Sequence, residues 1–180
     1  MKKTVVLMLI FCLLFCVSCN KSRTSDEIKG DQATDTLEVG GEPVENQKEN
    51  IVLYFSDNQG MALSKEEREV SRDDATDAEF VMRELMKGCE NPELISILPK
   101  DLVLNSCKVQ DGICIVDMSE EFLEIQGTAA QEMAMYSVIN TLCGVEGVEK
   151  VRFLIDGKKV PVFGVFDFES EFEADMSLVK

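Results

Sequence analysis

Cys19 sits in the stretch of this chain whose residue types and spacing prescribe a definite covalent reaction. Lys2 and Lys3 precede an unbroken apolar run of 13 residues, Val5 to Val17, and Ser18 stands immediately before the cysteine. A basic start, an apolar stretch of this length and a small residue before the cut describe a secretory signal. A cysteine at the cut makes it a lipoprotein signal. The Cys19 thiol is diacylated, the peptide is cleaved before it, and the mature chain stays tethered to the membrane by its lipid. The run is too short to cross a hydrocarbon core of about 30 Å as a helix, which disfavours an uncleaved anchor; a cleaved secreted protein is the other alternative. Position 16 commonly carries Leu in such signals and is Cys here.

Elsewhere the candidate chemistry is thinner. Asp117, Ser119, Glu120 and Glu121 follow an apolar stretch and offer either paired carboxylates for acid–base work or calcium ligands. The plainer expectation is that Ser119 caps a short helix whose first turn holds the acids, where the helix dipole favours them. Asp57-Asn58-Gln59-Gly60 has the start of a calcium loop but neither the alternating ligands nor the distal Glu, and is expected to be a turn. A cysteine nucleophile needs a base, and the 180 residues contain no His and no Trp. That removes most general-base and zinc arrangements. No catalytic residue, metal site or cofactor is expected, and ligand-binding residues are left unassigned. Asn140 and Thr141 are read as satisfying backbone groups or helix packing rather than facing a ligand. Met82, Met86, Met133 and Met135 are read as core fillers rather than an adaptable docking face.

Loss of the signal leaves 16 basic against 34 acidic residues, a net charge of −18. A chain this acidic repels nucleic acid and anionic headgroups alike, so attachment to a membrane must come from acyl chains. Four cysteines remain in the body: Cys89, Cys107, Cys114 and Cys143. Two disulfides or free buried thiols both fit; none of the four is spaced as CxxC, which favours free thiols slightly.

The elements that would position these residues are readable in places. Residues 20–50 lack aromatics and hold few large aliphatics, so they are expected to be a disordered spacer. Ile51–Phe55 is β-branched and aromatic and reads as a strand ended by a turn; a charged second strand near Glu67–Ser71 is weakly indicated. Thr76 and Glu79 form a capping-box pair ahead of a stripe made by Ala78, Val81, Met82, Leu85 and Met86, with Gly88 as stop. Asp111-Gly112 is two-residue hairpin chemistry. It sets Gln110 opposite Ile113, Val109 opposite Cys114 and Cys107 opposite Val116, placing Cys107, Val109, Cys114, Val116 and Met118 on one core face. In that register Cys107 and Cys114 are diagonal, too far apart for a comfortable disulfide. Thr128 and Gln131 suggest a second capping box, opening a long helix covered on more than one side. Val148–Ile155 reads as a final core strand, with Val160–Phe166 returning along it. The stretch from Phe166 onward alternates apolar and acidic residues and is expected to be a loosely held acidic tail.

The region from Ile51 to about Phe163 resembles the GerMN domain, a family of envelope proteins of spore-forming and other bacteria. The pieces that carry the resemblance run in order. They are Leu53-Tyr54-Phe55 with Asp57 and Leu63, then Glu84-Leu85-Met86-Lys87-Gly88, then Ile97-Leu98-Pro99. Val109–Gly112 and Val116–Phe122 follow, then Ile139–Leu142 and Gly147–Gly157. The family commonly has Pro where this chain has Cys89, and members linked to sporulation often carry two such domains where one copy is found here. The resemblance implies a single compact α/β domain, related to ring-building modules, with a small mixed or antiparallel sheet whose Asp-Gly hairpin packs against two main helices. It implies a non-catalytic scaffold or interaction role. The organisation expected is a signal over 1–18, a lipid-anchored linker over 19–50, a GerMN-like domain over 51–165 and an acidic tail over 166–180. On this reading the protein sits on the outer face of the bacterial cell membrane and contacts envelope or sporulation proteins, or further copies of itself, in sporulation or spore germination. The alternative is a lipoprotein that binds a peptidoglycan fragment, a germinant or a metal ion.

Overall fold

Ile51, Leu53 and Phe55 are buried on one side of strand β1 (Lys48–Asp57), alternating with Asn50, Val52 and Tyr54 on the other. The computed structural model describes residues 48–73 and 75–180. The signal, Cys19 and the linker up to residue 47 lie outside the described residues, and β1 takes in the last three residues expected of that linker. β2 (Leu63–Ser71) pairs antiparallel along nearly all of β1, from Lys48 opposite Ser71 to Ser56 opposite Leu63. This strand is longer than the sequence indicated, because only Leu63 and Arg68 of its nine residues are buried and the apolar alternation that announces a strand is missing. β3 (Leu94–Ile95) pairs with β1 at Ser56 and Asp57, completing the order β2-β1-β3.

α1 (Asp77–Met86) starts as expected, with the Glu79 amide donating to the Thr76 hydroxyl at 3.4 Å. Half of the capping box is absent: the Glu79 carboxylate pairs with Arg83 one turn on. Ala78, Val81, Met82 and Leu85 are buried. Gly88, past the Lys87 cap, takes the left-handed φ of 90° that ends helices.

The hairpin of β4 (Leu104–Gln110) and β5 (Ile113–Met118) has the register read from its turn. Asp111 and Gly112 take φ of 52° and 79°, the positive values a type I′ turn requires. Cys107, Cys114, Val116 and Met118 are buried, whereas Val109, beside the turn, is 45% exposed because the hairpin tip overhangs the core. β6 (Lys150–Ile155) lies parallel to β5. This second sheet, ordered β4-β5-β6, is therefore mixed, as the crossover through α2 (Thr128–Leu142) demands.

The second capping box does not form. Gly127, at φ 93°, is the cap residue and Thr128 is already helical; the Gln131 side chain instead reaches the Ile125 carbonyl at 2.9 Å. From Met133 to Leu142 only Tyr136 is less than buried, since α2 touches β1, β2, α1 and β6. The segment after β6 does not return along it. Beyond one bridge between Ile155 and Lys158, β7 (Val162–Phe163) pairs with β8 (Phe166–Asp167) as a separate small hairpin.

Residues 166–180 are not a loose tail. Phe168 is fully buried, its ring 4.8 Å from that of Phe153 and 6.2 Å from that of Phe122. Phe172 exchanges backbone hydrogen bonds with Val151 at 2.8 and 2.9 Å. Val179 bridges to Leu63, and the Lys180 amide donates to the Leu63 carbonyl at 2.9 Å. The acids that made this stretch look solvated have cations waiting on β6: Glu171 pairs with Arg152, and Glu173 with Lys150. The segment runs from one sheet to the other, and the folded unit spans 48–180.

Candidate functional site

Asp117, Ser119 and Asp57, which the sequence offered for chemistry, are held in place as structural groups. Asp117 leaves β5 with its Oδ1 accepting the Gly157 amide at 2.9 Å, which ties the end of β5 to the turn after β6. Ser119 stands at the N-cap of the short 3-10 helix Glu120–Glu124 but makes no side-chain capping hydrogen bond; it forms a reciprocal pair with Val103 instead, accepting that amide on Oγ at 2.9 Å and donating its own amide to the Val103 carbonyl at 3.0 Å. Glu120 and Glu121 do occupy the first turn of that helix. The Ser119 hydroxyl, followed by the Glu121 backbone amide, holds the Glu121 carboxyl below its usual range. Among the described residues no three Asp, Glu, Cys or His side chains converge as metal ligands would.

Asp57 is the turn residue its sequence suggested. Its Oδ1 accepts the Gln59 and Met61 amides at 3.2 and 2.9 Å, and Oδ2 pairs with the Lys180 ammonium. Lys180 and then the Met61 amide pull its pKa down to about 2. It is a latch between the β1–β2 turn and the end of the chain.

All four cysteines of the domain are free. Cys107 and Cys114 are diagonal neighbours whose sulfurs meet at 3.4 Å inside the core. The adjoining Cys114 sulfur and then burial push the Cys107 thiol up, the opposite of what a nucleophile needs. Burial likewise raises Cys143. Met82, Met133 and Met135 are core residues, and Met86 packs against that core half-buried.

Three polar residues on α2 act on backbone. Asn140 donates to the Asp175 carbonyl at 3.0 Å and accepts the Asp175 amide at 2.9 Å. Thr141 Oγ1 accepts the Tyr54 amide at 3.0 Å, and Ser137 Oγ donates to the Tyr54 carbonyl at 2.5 Å. In sheet terms the helix stands in for a third strand beside Tyr54.

One buried cluster escaped sequence reasoning. Arg68 is only 6% exposed in β2 and sends its guanidinium to the Glu84 and Gly88 carbonyls at 3.1 and 2.8 Å. It also pairs with Glu66, Glu84 and Glu90. Glu66 in turn accepts the Glu90 and Asn91 amides, each at 2.9 Å. Burial works to raise the Glu66 pKa, but those two amides and Arg68 outweigh it and hold the carboxyl below its usual range. An arginine flanked on both sides by acids, Glu66-Glu67-Arg68-Glu69, was the one available signal. A cleft of about 230 Å³ opens on the far side of β1, between Asn50–Val52, the start of α1 and the residues just past α2.

The Germane family, described by its role in sporulation and spore germination, matches residues 52–161. The chain belongs to this family. Among solved structures it is similar to the tandem GerMN domains of the sporulation protein GerM from Bacillus subtilis, at 19% identity and a TM-score of 0.60 over 77% of this chain. It is also similar to the first of those domains alone, at 20% identity and a TM-score of 0.59 over 72% of this chain and 98% of that domain. These identities establish the GerMN fold and no more. The chain spans about half of the tandem structure, 49%, in keeping with one GerMN domain. No curated protein matches it.

Proposed function

We propose that this GerMN protein is a lipid-anchored, extracytoplasmic interaction module of the cell envelope, acting in sporulation or spore germination by protein–protein contact and without catalysis. The observation that carries the reading is the family match over 52–161. It agrees with a domain in which Asp117, Ser119, Asp57, Asn140 and the core thiols Cys107 and Cys114 are engaged in holding the fold. The anchor rests on the Lys2–Cys19 signal; among the described residues no helix is long and apolar enough to cross a membrane. The small-ligand alternative gains little from the shape of the surface. A second depression, about 410 Å³, is lined by Arg68, whose charge Glu66, Glu84 and Glu90 already match.

Two experiments test the reading. Metabolic labelling with palmitate is expected to mark the chain and to fail on Cys19→Ala, which should also free it from membranes. Cross-linking mass spectrometry on the anchored protein, in growing and in sporulating cells, is expected to give links to envelope proteins that strengthen in sporulation. Intramolecular links alone in both states would overturn the interaction reading.

A further inference from the structure

Strand β1 carries a short stretch of backbone that no sheet or helix among the described residues closes, and its surroundings specify what fits there. The Tyr54 amide and carbonyl turn away from β2, toward Thr141 and Ser137. In an antiparallel strand every second residue shares that direction. Ser56 accordingly meets Ile95 of β3 on this side, and the peptide groups of Asn50 and Val52 point the same way, into the 230 Å³ cleft. Among the described residues no hydrogen bond reaches them. Free edges are normally blunted by Pro, a bulge or inward charge. Here the pairing of β1 with β2 runs without a bulge, and Val52 is 39% exposed.

The cleft is electrostatically one-sided. Glu49, Asp77 and Glu146 line it; Glu49 and Asp77 share the single cation Arg72. α2 ends at its rim with no basic residue in the last turn, so the partial negative charge of its final carbonyls is uncompensated. A second copy docking edge to edge would set these acids against each other. Residues 20–47 of the chain itself, with seven acids against three bases, are also poorly matched.

We propose that the open edge at Asn50 and Val52 takes an extended basic segment of a partner protein as an added strand, with its Lys or Arg side chains lying toward Glu146, Glu49 and the end of α2. Backbone hydrogen bonds supply the docking and the acids select the charge. This deepens the interaction-module reading and rests on it.

The test uses the full chain in detergent and two six-residue probes, an alternating Lys/Val peptide and its Glu/Val counterpart. Hydrogen exchange is followed at single amides. The Lys/Val peptide is expected to slow exchange at Asn50 and Val52 by about tenfold or more, and the Glu/Val peptide to leave it unchanged. Val52→Pro removes an outward amide that the β2 ladder does not use, a substitution edge strands tolerate; it should abolish binding with the melting temperature kept. Glu146→Lys, on an exposed residue, should weaken binding severalfold and carries the test if Val52→Pro disturbs the strand. Unchanged exchange at this edge, equal protection by both peptides, or protection already present in the free chain overturns the proposal, the last pointing to a second copy or the chain's own linker. Cross-links to envelope proteins mapping elsewhere, with this edge unprotected, would overturn the edge and leave the interaction module standing.

Discussion

Arg68 shows how much a single residue holds. Its guanidinium is the common partner of two buried carboxylates and two carbonyls from the end of α1. Removing one partner of a buried ion pair leaves the other charge uncompensated, at about 3–5 kcal/mol. Arg68→Ala is therefore expected to lower unfolding free energy by about that much in urea titration. Arg72→Ala, which breaks pairs of half-exposed groups, should cost at most about 1 kcal/mol. Asp57 makes a separate prediction about acid. Its folded pKa, about 2, lies below the ordinary 3.8, so its contribution is fully present above that ordinary value and is lost as pH falls from about 4 to about 2. Asp57→Asn should flatten the stability curve across that window, measured by thermal melts at stepped pH. At this scale the sequence was readable where a residue acts on its near neighbours, as Asp57 does on Gln59 and Met61. It was unreadable where the partner lies far along the chain, as with Arg68 and Glu84 or Asp57 and Lys180.

At the scale of elements, α2 and the C-terminal segment depend on each other. Asn140 is buried, and its amide reads Asp175 from both sides, while Phe168 sits among Phe122, Phe153 and Phe163. Phe168→Ala is expected to cost about 3–5 kcal/mol through the cavity it leaves. Asn140→Ala strips both bonds from Asp175 and should cost about 1–3 kcal/mol, with faster amide exchange from Phe172 to Lys180 and little change in β4–β5. A finding that exchange in the segment is already fast in the parent chain would contradict this docking. The hairpin is the opposite case: its turn dictates its register over a few residues, and β4 and β5 need no distant element to choose it.

Across the whole molecule, the C-terminal segment joins the two sheets, bonding to Val151 in one and to Leu63 in the other. With α2 packed against β1 and β6 as well, the domain should unfold as one unit. Far-ultraviolet circular dichroism and amide exchange in β1 and β6 are expected to give coincident urea midpoints. Truncation after Asp167 should lower the midpoint and separate the probes; coincidence at the original midpoint would show that the segment is dispensable. Among the described residues the same closure leaves the β1 edge at Asn50 and Val52 without a hydrogen-bond partner, and the proposed interaction rests on that gap.

The chain alone determined what depends on residues close together: the α1 cap and stop, the Asp-Gly hairpin with its register, and an order of motifs sufficient to place it among GerMN domains. Short-range geometry and period need no knowledge of the rest of the fold. Only the tertiary structure decided that a charged segment is a full strand with a buried arginine, and that Gly127 rather than Thr128 caps α2. It also showed that an acidic C-terminus is an integral brace. For the arginine and the C-terminus the deciding partner lies on another element: for Arg68 it is α1, and for Glu171 and Glu173 it is the cations of β6. Charge density along a sequence reads as solvation until the opposite charge it will meet is known.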